Sequence, residues 1–366
     1  MKIAIIGSRG YPYVYSGYET FVTELSTRLV KKGHKITVYC HKGLFKEFPP
    51  VVNGVDLVYL PAIETKSISQ LSHSLLSTLH VVSRSVDVVL YVNSANGPFG
   101  LITTIARKKT AINVDGLEWL RPKWKGLGAK YFYFSSWLST KLFDVVISDS
   151  DRMADIYKKE FNASSTTIAY GANPAYSTNP ELIEQMGLKK NDYYLIVGRL
   201  IPDNNADIIV KGFEKSTSKK KLVVVGDVPY RDAYAESIKK TTDPRILFPG
   251  YVKDPNVLRE LYCNSYAYFH GHEFGGTNPT LLKALAYGCG ILALDTVFSR
   301  EVLLDGKHGV FFQKDVDSVA MVVNETEKDS SRLETLRSIA RERITSNYTW
   351  EKIADQYEQL FTTMTL

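Results

Sequence analysis

Short apolar runs alternate with amphipathic stretches along the 366 residues, and the alternation starts twice. Lys2-Ile3-Ala4-Ile5-Ile6-Gly7 and Tyr193-Tyr194-Leu195-Ile196-Val197-Gly198 are both apolar strands that end in glycine, with an arginine close behind (Arg9, Arg199). Further strands are expected over 36–40, 55–60, 86–92, 110–114 and 145–148 after the first start. After the second they are expected over 222–225, 245–248, 266–270 and 291–294. Helical spacing falls between them, at 19–32, 151–161, 279–287 and 350–361. Strands alternating with helices imply parallel sheets built from right-handed βαβ units. Residues 171–192 are polar, carry Pro174 and Pro180, and read as a linker. The expected fold is therefore α/β: two Rossmann-like, doubly wound parallel-sheet domains of similar size facing a central cleft. Ligands of such sheets bind at the carboxyl ends of the strands. Stacked domains of this kind also serve dehydrogenases, so architecture alone does not assign a function.

The remaining bulk properties exclude more than they assign. Cys40, Cys263 and Cys289 are widely spaced and form no CxxC pair, which argues against a disulfide scaffold or a structural zinc site. The opening strand is too short and wrongly flanked for a signal peptide. No run of about 18 apolar residues is present to span a membrane. A net charge of +6 permits an anionic partner without naming one.

Chemistry concentrates in three glycine-containing turns. Gly7-Ser8-Arg9-Gly10 follows the first strand, and Ser16-Gly17-Tyr18-Glu19-Thr20 opens the first helix. Glycines there let backbone approach a ligand, and helix N-terminal amides favour an anion; the plain alternative is a tight turn with no ligand. The spacing is not GxGxxG, and the second strand ends Val38-Tyr39-Cys40-His41 without an acid for a ribose, which disfavours a nicotinamide dinucleotide. In the second half, Gly198-Arg199-Leu200-Ile201-Pro202-Asp203-Asn204-Asn205 places an arginine just past a strand, where it can fork onto a diphosphate or stand as a surface charge. The third turn, His270-Gly271-His272-Glu273-Phe274-Gly275-Gly276-Thr277-Asn278-Pro279, precedes a helix with proline at its first position. Backbone amides of Gly275, Gly276 and Thr277 would face an anion there. His270 and His272 lack the ligand tetrad of a zinc site. Asp149-Ser150-Asp151 spells the DxD of metal-dependent transferases, yet sits at a strand end with Ser150 placed to cap a helix. Asp151 reads as structural and Asp149 as a cleft residue facing the donor.

Residues 118–143 interleave Trp119, Trp124, Tyr131, Phe132, Tyr133, Phe134 and Trp137 with Arg121, Lys123, Lys125, Lys130 and Lys141. Rings beside cations suit an anionic membrane interface; the alternative is that the rings pack inward as core. No nucleic-acid module accompanies the patch.

The ordered motifs SGYE, GRL, HEFGGTNP…LLKALAYG and the terminal YTWEKIADQYEQLF resemble retaining glycosyltransferase family 4, of GT-B fold. With GSRG-YP and GGTNP, the segment Asn113-Val114-Asp115-Gly116-Leu117-Glu118-Trp119 resembles the β-1,4-rhamnosyltransferases of bacterial capsule and cell-wall polysaccharide assembly. The resemblance implies an acceptor-binding domain over 1–172, a nucleotide-sugar donor domain over 173–346, and a final helix over 347–366 packing back on the first domain. It implies catalytic roles for Asp115, Arg199 and Asp149. Donor contacts would come from Arg199, Asp203, Asn204, Glu273, Gly275, Gly276, Thr277, Asn278 and Lys283. Arg9, Gly10, Gly17, Glu19 and Glu118 would line the acceptor side. Two positions depart from the wider family, which usually carries lysine where Asn204 stands and a ribose-gripping glutamate where Lys283 stands. The implied reaction is retaining transfer of L-rhamnose from dTDP-L-rhamnose to a sugar on polyprenyl diphosphate, with no metal or other cofactor. UDP-glucose, UDP-N-acetylglucosamine or another UDP- or GDP-sugar is the alternative donor, and a non-catalytic nucleotide-sugar binder the alternative class. The implied location is cytoplasmic, on the inner face of the plasma membrane, with no nucleic-acid partner.

Overall fold

The computed structural model describes residues 1–12, 17–65, 68–228 and 231–366. Ser16 of the expected helix-opening motif lies outside the described residues. The chain divides into two compact units, 1–170 together with 350–366, and 171–349.

The first unit holds β1 (Lys2–Ile6), α1 (Gly17–Lys31), β2 (Lys35–His41), β3 (Val51–Val52), β4 (Val55–Leu60), α2 (Ser69–Val82), β5 (Val88–Val92), α3 (Gly100–Ile105), β6 (Thr110–Val114), α4 (Leu127–Leu142), β7 (Val145–Ser148), α5 (Asp151–Phe161) and β8 (Thr166–Thr167). Its sheet runs β3-β4-β2-β1-β5-β6-β7-β8, parallel except where β3 pairs antiparallel with β4. Every residue of β5 and β6 is buried, as in parallel strands covered on both faces. The strands β3 and β8 are two residues each, too short to show a period in sequence.

The second unit holds α6 (Glu181–Glu184), β9 (Tyr193–Val197), α7 (Ala206–Lys215), β10 (Lys221–Val225), α8 (Ala233–Ile238), β11 (Ile246–Gly250), α9 (Pro255–Asn264), β12 (Ala267–His270), α10 (Pro279–Ala286), β13 (Ile291–Leu294), α11 (Val297–Val302), β14 (Val310–Phe312), α12 (Val316–Lys328) and α13 (Ser331–Asn347). Its sheet is parallel throughout, in the order β11-β10-β9-β12-β13-β14. Tyr194, Phe213, Phe269, Val319 and Val323 are among the buried residues of its core.

Residues 171–192 are part of this unit rather than a loose linker. Ile183 and Leu188 are buried, and the backbone amides of Thr178 and Asn179 donate to the Glu260 carboxylate on α9 at 2.8 and 3.0 Å. Burial alone would raise the Glu260 pKa, but these donors with Ser177 and Arg259 outweigh it and bring it to about 2. Two backbone amides and the Ser177 hydroxyl of the segment thus satisfy one buried carboxylate.

The last helix, α14 (Trp350–Thr365), belongs to the first unit. It lies on α1 and β5, with Phe21 of α1 ringed by Trp350 and Tyr357 at centroid distances of 6.4 and 5.4 Å. Trp350, Ile353, Ala354, Tyr357 and Phe361 are buried at the helical spacing read from sequence. Lys32 pairs with Asp355 and Glu358 at 2.6 and 2.7 Å along the exposed rim.

Candidate functional site

In the second unit the strand order reverses between β9 and β12, and crevices at such switch points hold ligands. Both donor motifs are the loops that leave these two strands. Gly198 and the exposed Arg199 follow β9; Gly271 and His272 follow β12. The loops are stitched together. Asn204 donates to the Arg199 carbonyl at 2.8 Å and places its Oδ1 2.8 Å from His272 Nδ1. Asn205 donates to the Gly271 carbonyl at 2.9 Å. The Glu273 amide donates to the carbonyl of the buried Asp203 at 3.0 Å, which ties the start of one loop to the middle of the other. A Cβ on Gly271 would sit 2.3 Å from the Asn204 carbonyl oxygen, so only glycine allows this approach. Beyond them, Gly275 is half-buried, Gly276 and Thr277 are buried, and Asn278 caps α10 by accepting from the Thr280 amide at 2.9 Å, with Pro279 at its first turn.

The arrangement gives a reason for the first of the two departures. Asn204 must donate to one loop and accept from the other, which an asparagine amide can do and a lysine cannot. It is a staple between loops rather than a cation. Lys283 lies on α10 with its Nζ 5.6 Å from the centre of the Tyr287 ring. Glu273 pairs with Lys314 at 2.5 Å. The Arg199 side chain has no ion-pair partner among the described residues.

In the first unit the order reverses between β1 and β5. Behind β1, the Arg9 amide donates to the buried Glu19 carboxylate at 3.0 Å, which fixes the turn to the start of α1. Arg9 itself is exposed. Gly10 has φ +139, and a Cβ there would meet Phe45 at 2.6 Å, so this glycine serves close packing as well as the turn. Gly17 is the first residue of α1.

Asp115 is half-buried just past β6. Its Oδ1 accepts from Tyr18 of α1, and its Oδ2 accepts from Tyr170 at 2.7 Å. Tyr170 also reaches Asn113 Oδ1 at 3.4 Å, and Asn113 Nδ2 donates to Tyr357 of α14 at 2.9 Å. Burial raises the Asp115 pKa, while the two tyrosine donors and Arg121 pull the other way. The sequence does not single out Tyr18, Tyr170 and Tyr357 as site residues. They come from α1, from the segment after β8 and from α14, and no local spacing joins them.

Glu118 and Asp149, like Glu19, Asp203 and Thr277, are buried. Glu118 is buried and grips Arg121 at 2.8 Å, Lys123 at 3.2 Å and Trp124 Nε1 at 2.8 Å. Burial alone would raise its pKa, but the two cations and the indole outweigh that and lower it. It holds the loop after β6 together. Asp149 is also buried, and its charge helps raise the pKa values of Tyr157, Tyr170 and Tyr357 behind the dominant effect of burial. Ser150 caps α5 by accepting from the Met153 amide at 3.1 Å. Among the described residues no group of three or more His, Cys, Asp or Glu is arranged to hold a metal ion.

In the aromatic-basic stretch some rings pack inward and others are partly exposed. Trp119 packs edge-on against Tyr133, Tyr157 and Phe161, Trp124 lies 4.8 Å from Phe132, and Phe132 is buried. Phe134 and Trp137 instead stack on one another at 5.7 Å and are 53% and 40% exposed. Arg121 and Lys123 are committed to Glu118, whereas Lys125, Lys130 and Lys141 are exposed. No helix among the described residues is long and apolar enough to cross a membrane.

Residues 1–173 match the model of a domain of unknown function (DUF1972), and residues 179–343 match the model of glycosyl transferases group 1. The alpha-maltose-1-phosphate synthase of Mycolicibacterium smegmatis is 22% identical over 99% of each chain. The capsular polysaccharide biosynthesis glycosyltransferase CapM of Staphylococcus aureus is 24% identical over 74% of this chain and 76% of that one. The structure of Anabaena HepE in complex with UDP superposes with a TM-score of 0.79 at 15% identity, covering 99% of this chain and 100% of the other. The chain has the GT-B fold, and its match over residues 179–343 to the glycosyl transferases group 1 supports a glycosyltransferase.

Proposed function

We propose that this glycosyltransferase moves L-rhamnose, with retention, from dTDP-L-rhamnose to a sugar carried on polyprenyl diphosphate during bacterial surface polysaccharide assembly. The observation that carries the donor half is the stitched pair of loops at the β9/β12 switch point. They present an exposed Arg199 beside a glycine-rich turn that opens a capped helix, which together suit a diphosphate. The rhamnosyl assignment rests on the motifs GSRG-YP, DGLEW and GGTNP. The polysaccharide setting is supported by the similarity to CapM, and a nucleoside diphosphate donor by the UDP in HepE, which also keeps a UDP-sugar as the second reading. Catalysis is assigned to positioning and fixed charge: Arg199 and the backbone amides before α10 stabilise the leaving diphosphate, which takes up the acceptor proton on the same face. Asp115 is assigned, from the resemblance, to accept a hydrogen bond from the acceptor hydroxyl.

Thermal shift against a panel of dTDP-, UDP- and GDP-sugars in excess EDTA tests the donor. dTDP-L-rhamnose should raise Tm most, by mass action on the folded state, and EDTA should not reduce the rise. A UDP-sugar giving the larger rise rejects the rhamnosyl assignment. A rise that requires added magnesium or manganese rejects the metal-free one.

The membrane reading is carried by Phe134, Trp137, Lys125, Lys130 and Lys141. Replacing Phe134 and Trp137 together by serine should weaken binding to vesicles containing anionic lipid, with only a small loss of thermal stability because both rings are partly exposed. Binding to the wild type should fall as salt rises. Sedimentation that is indifferent to lipid charge or to the two rings contradicts this reading. Arg121 and Lys123 are unsuitable for the same test, because removing them leaves the buried Glu118 charge without its partners.

A further inference from the structure

Resting on the reading of the β9/β12 loops as the donor-diphosphate site, we infer that His272 stands there as a fixed imidazolium cation, supplying the positive charge that Asn204 does not. Both ring nitrogens face oxygen acceptors. Nδ1 lies 2.8 Å from Asn204 Oδ1, and Nε2 lies 3.0 Å from the Phe274 carbonyl oxygen. The Asn204 amide cannot be turned to relieve this, because its Nδ2 donates to the Arg199 carbonyl at 2.8 Å and the opposite orientation would set two oxygens against each other. The Phe274 carbonyl can only accept. A neutral imidazole has one N–H and would leave a ring lone pair pointing at an oxygen, whereas the doubly protonated ring satisfies both contacts.

The surroundings distinguish His272 from its neighbour. His270, on β12, is buried, and burial pushes its pKa down to about 3, so it is neutral. His272 is half-buried, with its ring centre 6.3 Å from that of His270. Among the described residues, the charged groups of these loops and of α10 include Arg199 and Asp203 after β9, Glu273 beside His272, Lys314 after β14, and Lys283 on α10. Glu273 is engaged by Lys314 and lies 3.4 Å from Asn205. Asp203 is buried and offers its backbone carbonyl to Glu273. Asn204 therefore does two things: it joins the loops, and its Oδ1 favours the charged ring. His272 acts on the diphosphate through its field, as a positioning and electrostatic residue beside Arg199.

The test is a pH titration of the histidine ring resonances in the full chain by NMR, with His272 assigned by its absence in His272→Gln. His272 should titrate at least about one unit above the ordinary histidine value. Asn204→Ala should bring it down, because the acceptor for Nδ1–H is gone. A His272 that titrates at or below the ordinary value overturns the inference, as does one that Asn204→Ala leaves unmoved. In turnover, the wild type should lose kcat as pH rises through the His272 titration. His272→Gln should be slower on the order of tenfold at neutral pH and should lack that alkaline limb. An active wild type whose alkaline limb is identical in His272→Gln also overturns it. Absence of transfer from every nucleotide sugar would count against the reading of the site, while the ring titration still decides the charge of His272.

Discussion

Replacing Arg199 by alanine is expected to lower kcat by about two to three orders of magnitude, the usual loss when a fixed charge-stabilising donor is removed. The fold should be indifferent. The side chain is exposed, has no ion-pair partner among the described residues, and the stitching of its loop uses its backbone carbonyl. Tm of the variant without ligand should match the wild type, and the stabilisation by nucleotide sugar should shrink. Steady-state kinetics with thermal denaturation checks both halves. A folded Arg199→Ala with wild-type kcat would remove Arg199 from the mechanism.

Removing residues 350–366 is expected to unfold the first unit while the second keeps its structure. The helix buries Trp350, Ile353, Tyr357 and Phe361 against that unit and closes over Phe21. Truncating one buried aromatic costs about 3–5 kcal/mol, and a domain of this size is stable by only about 5–15 kcal/mol. The helix also supplies Tyr357, whose hydroxyl accepts from Asn113 in the network that reaches Asp115. Hydrogen exchange by mass spectrometry should show protection lost across residues 1–170 and retained across 193–347. The milder Trp350→Ala should shift denaturation of the first unit alone. Loss of protection confined to the second unit would contradict the placement of the helix.

The sheet strands were legible because each is a run of buried aliphatic residues bounded by turn residues. The strands 2–6, 110–114, 145–148, 193–197 and 291–294 have the bounds read from sequence. The strands β3 and β8 carry no such pattern, and β14 is only three residues long. The packing of the 171–192 segment was not legible because it runs through its backbone amides and the Ser177 hydroxyl to Glu260, about eighty positions away. The donor loops were legible as turns, since glycine and proline mark them, but their stitching was not. Nothing in the sequence says that Asn204 meets His272, because the reversal of strand order brings them together. The same holds for Asp115. Its position at a strand end was readable, while the tyrosines of its network come from three distant elements. Glu118 was given by the resemblance as an acceptor-side residue, and its burial with Arg121, Lys123 and Trp124 depends on how the following turn folds back.

The proposed activity is transfer of a sugar from a nucleotide donor, and the most direct measurement follows that sugar. The full chain is incubated in EDTA with dTDP-L-rhamnose and a saccharide on polyprenyl diphosphate, and the lipid-linked product is characterised by mass spectrometry and NMR. The prediction is an acceptor extended by one deoxyhexose, joined in the same anomeric configuration as in the donor, with dTDP released. An unextended acceptor with dTDP-L-rhamnose and extension with a UDP-sugar would contradict the donor, and an inverted linkage would contradict the mechanism.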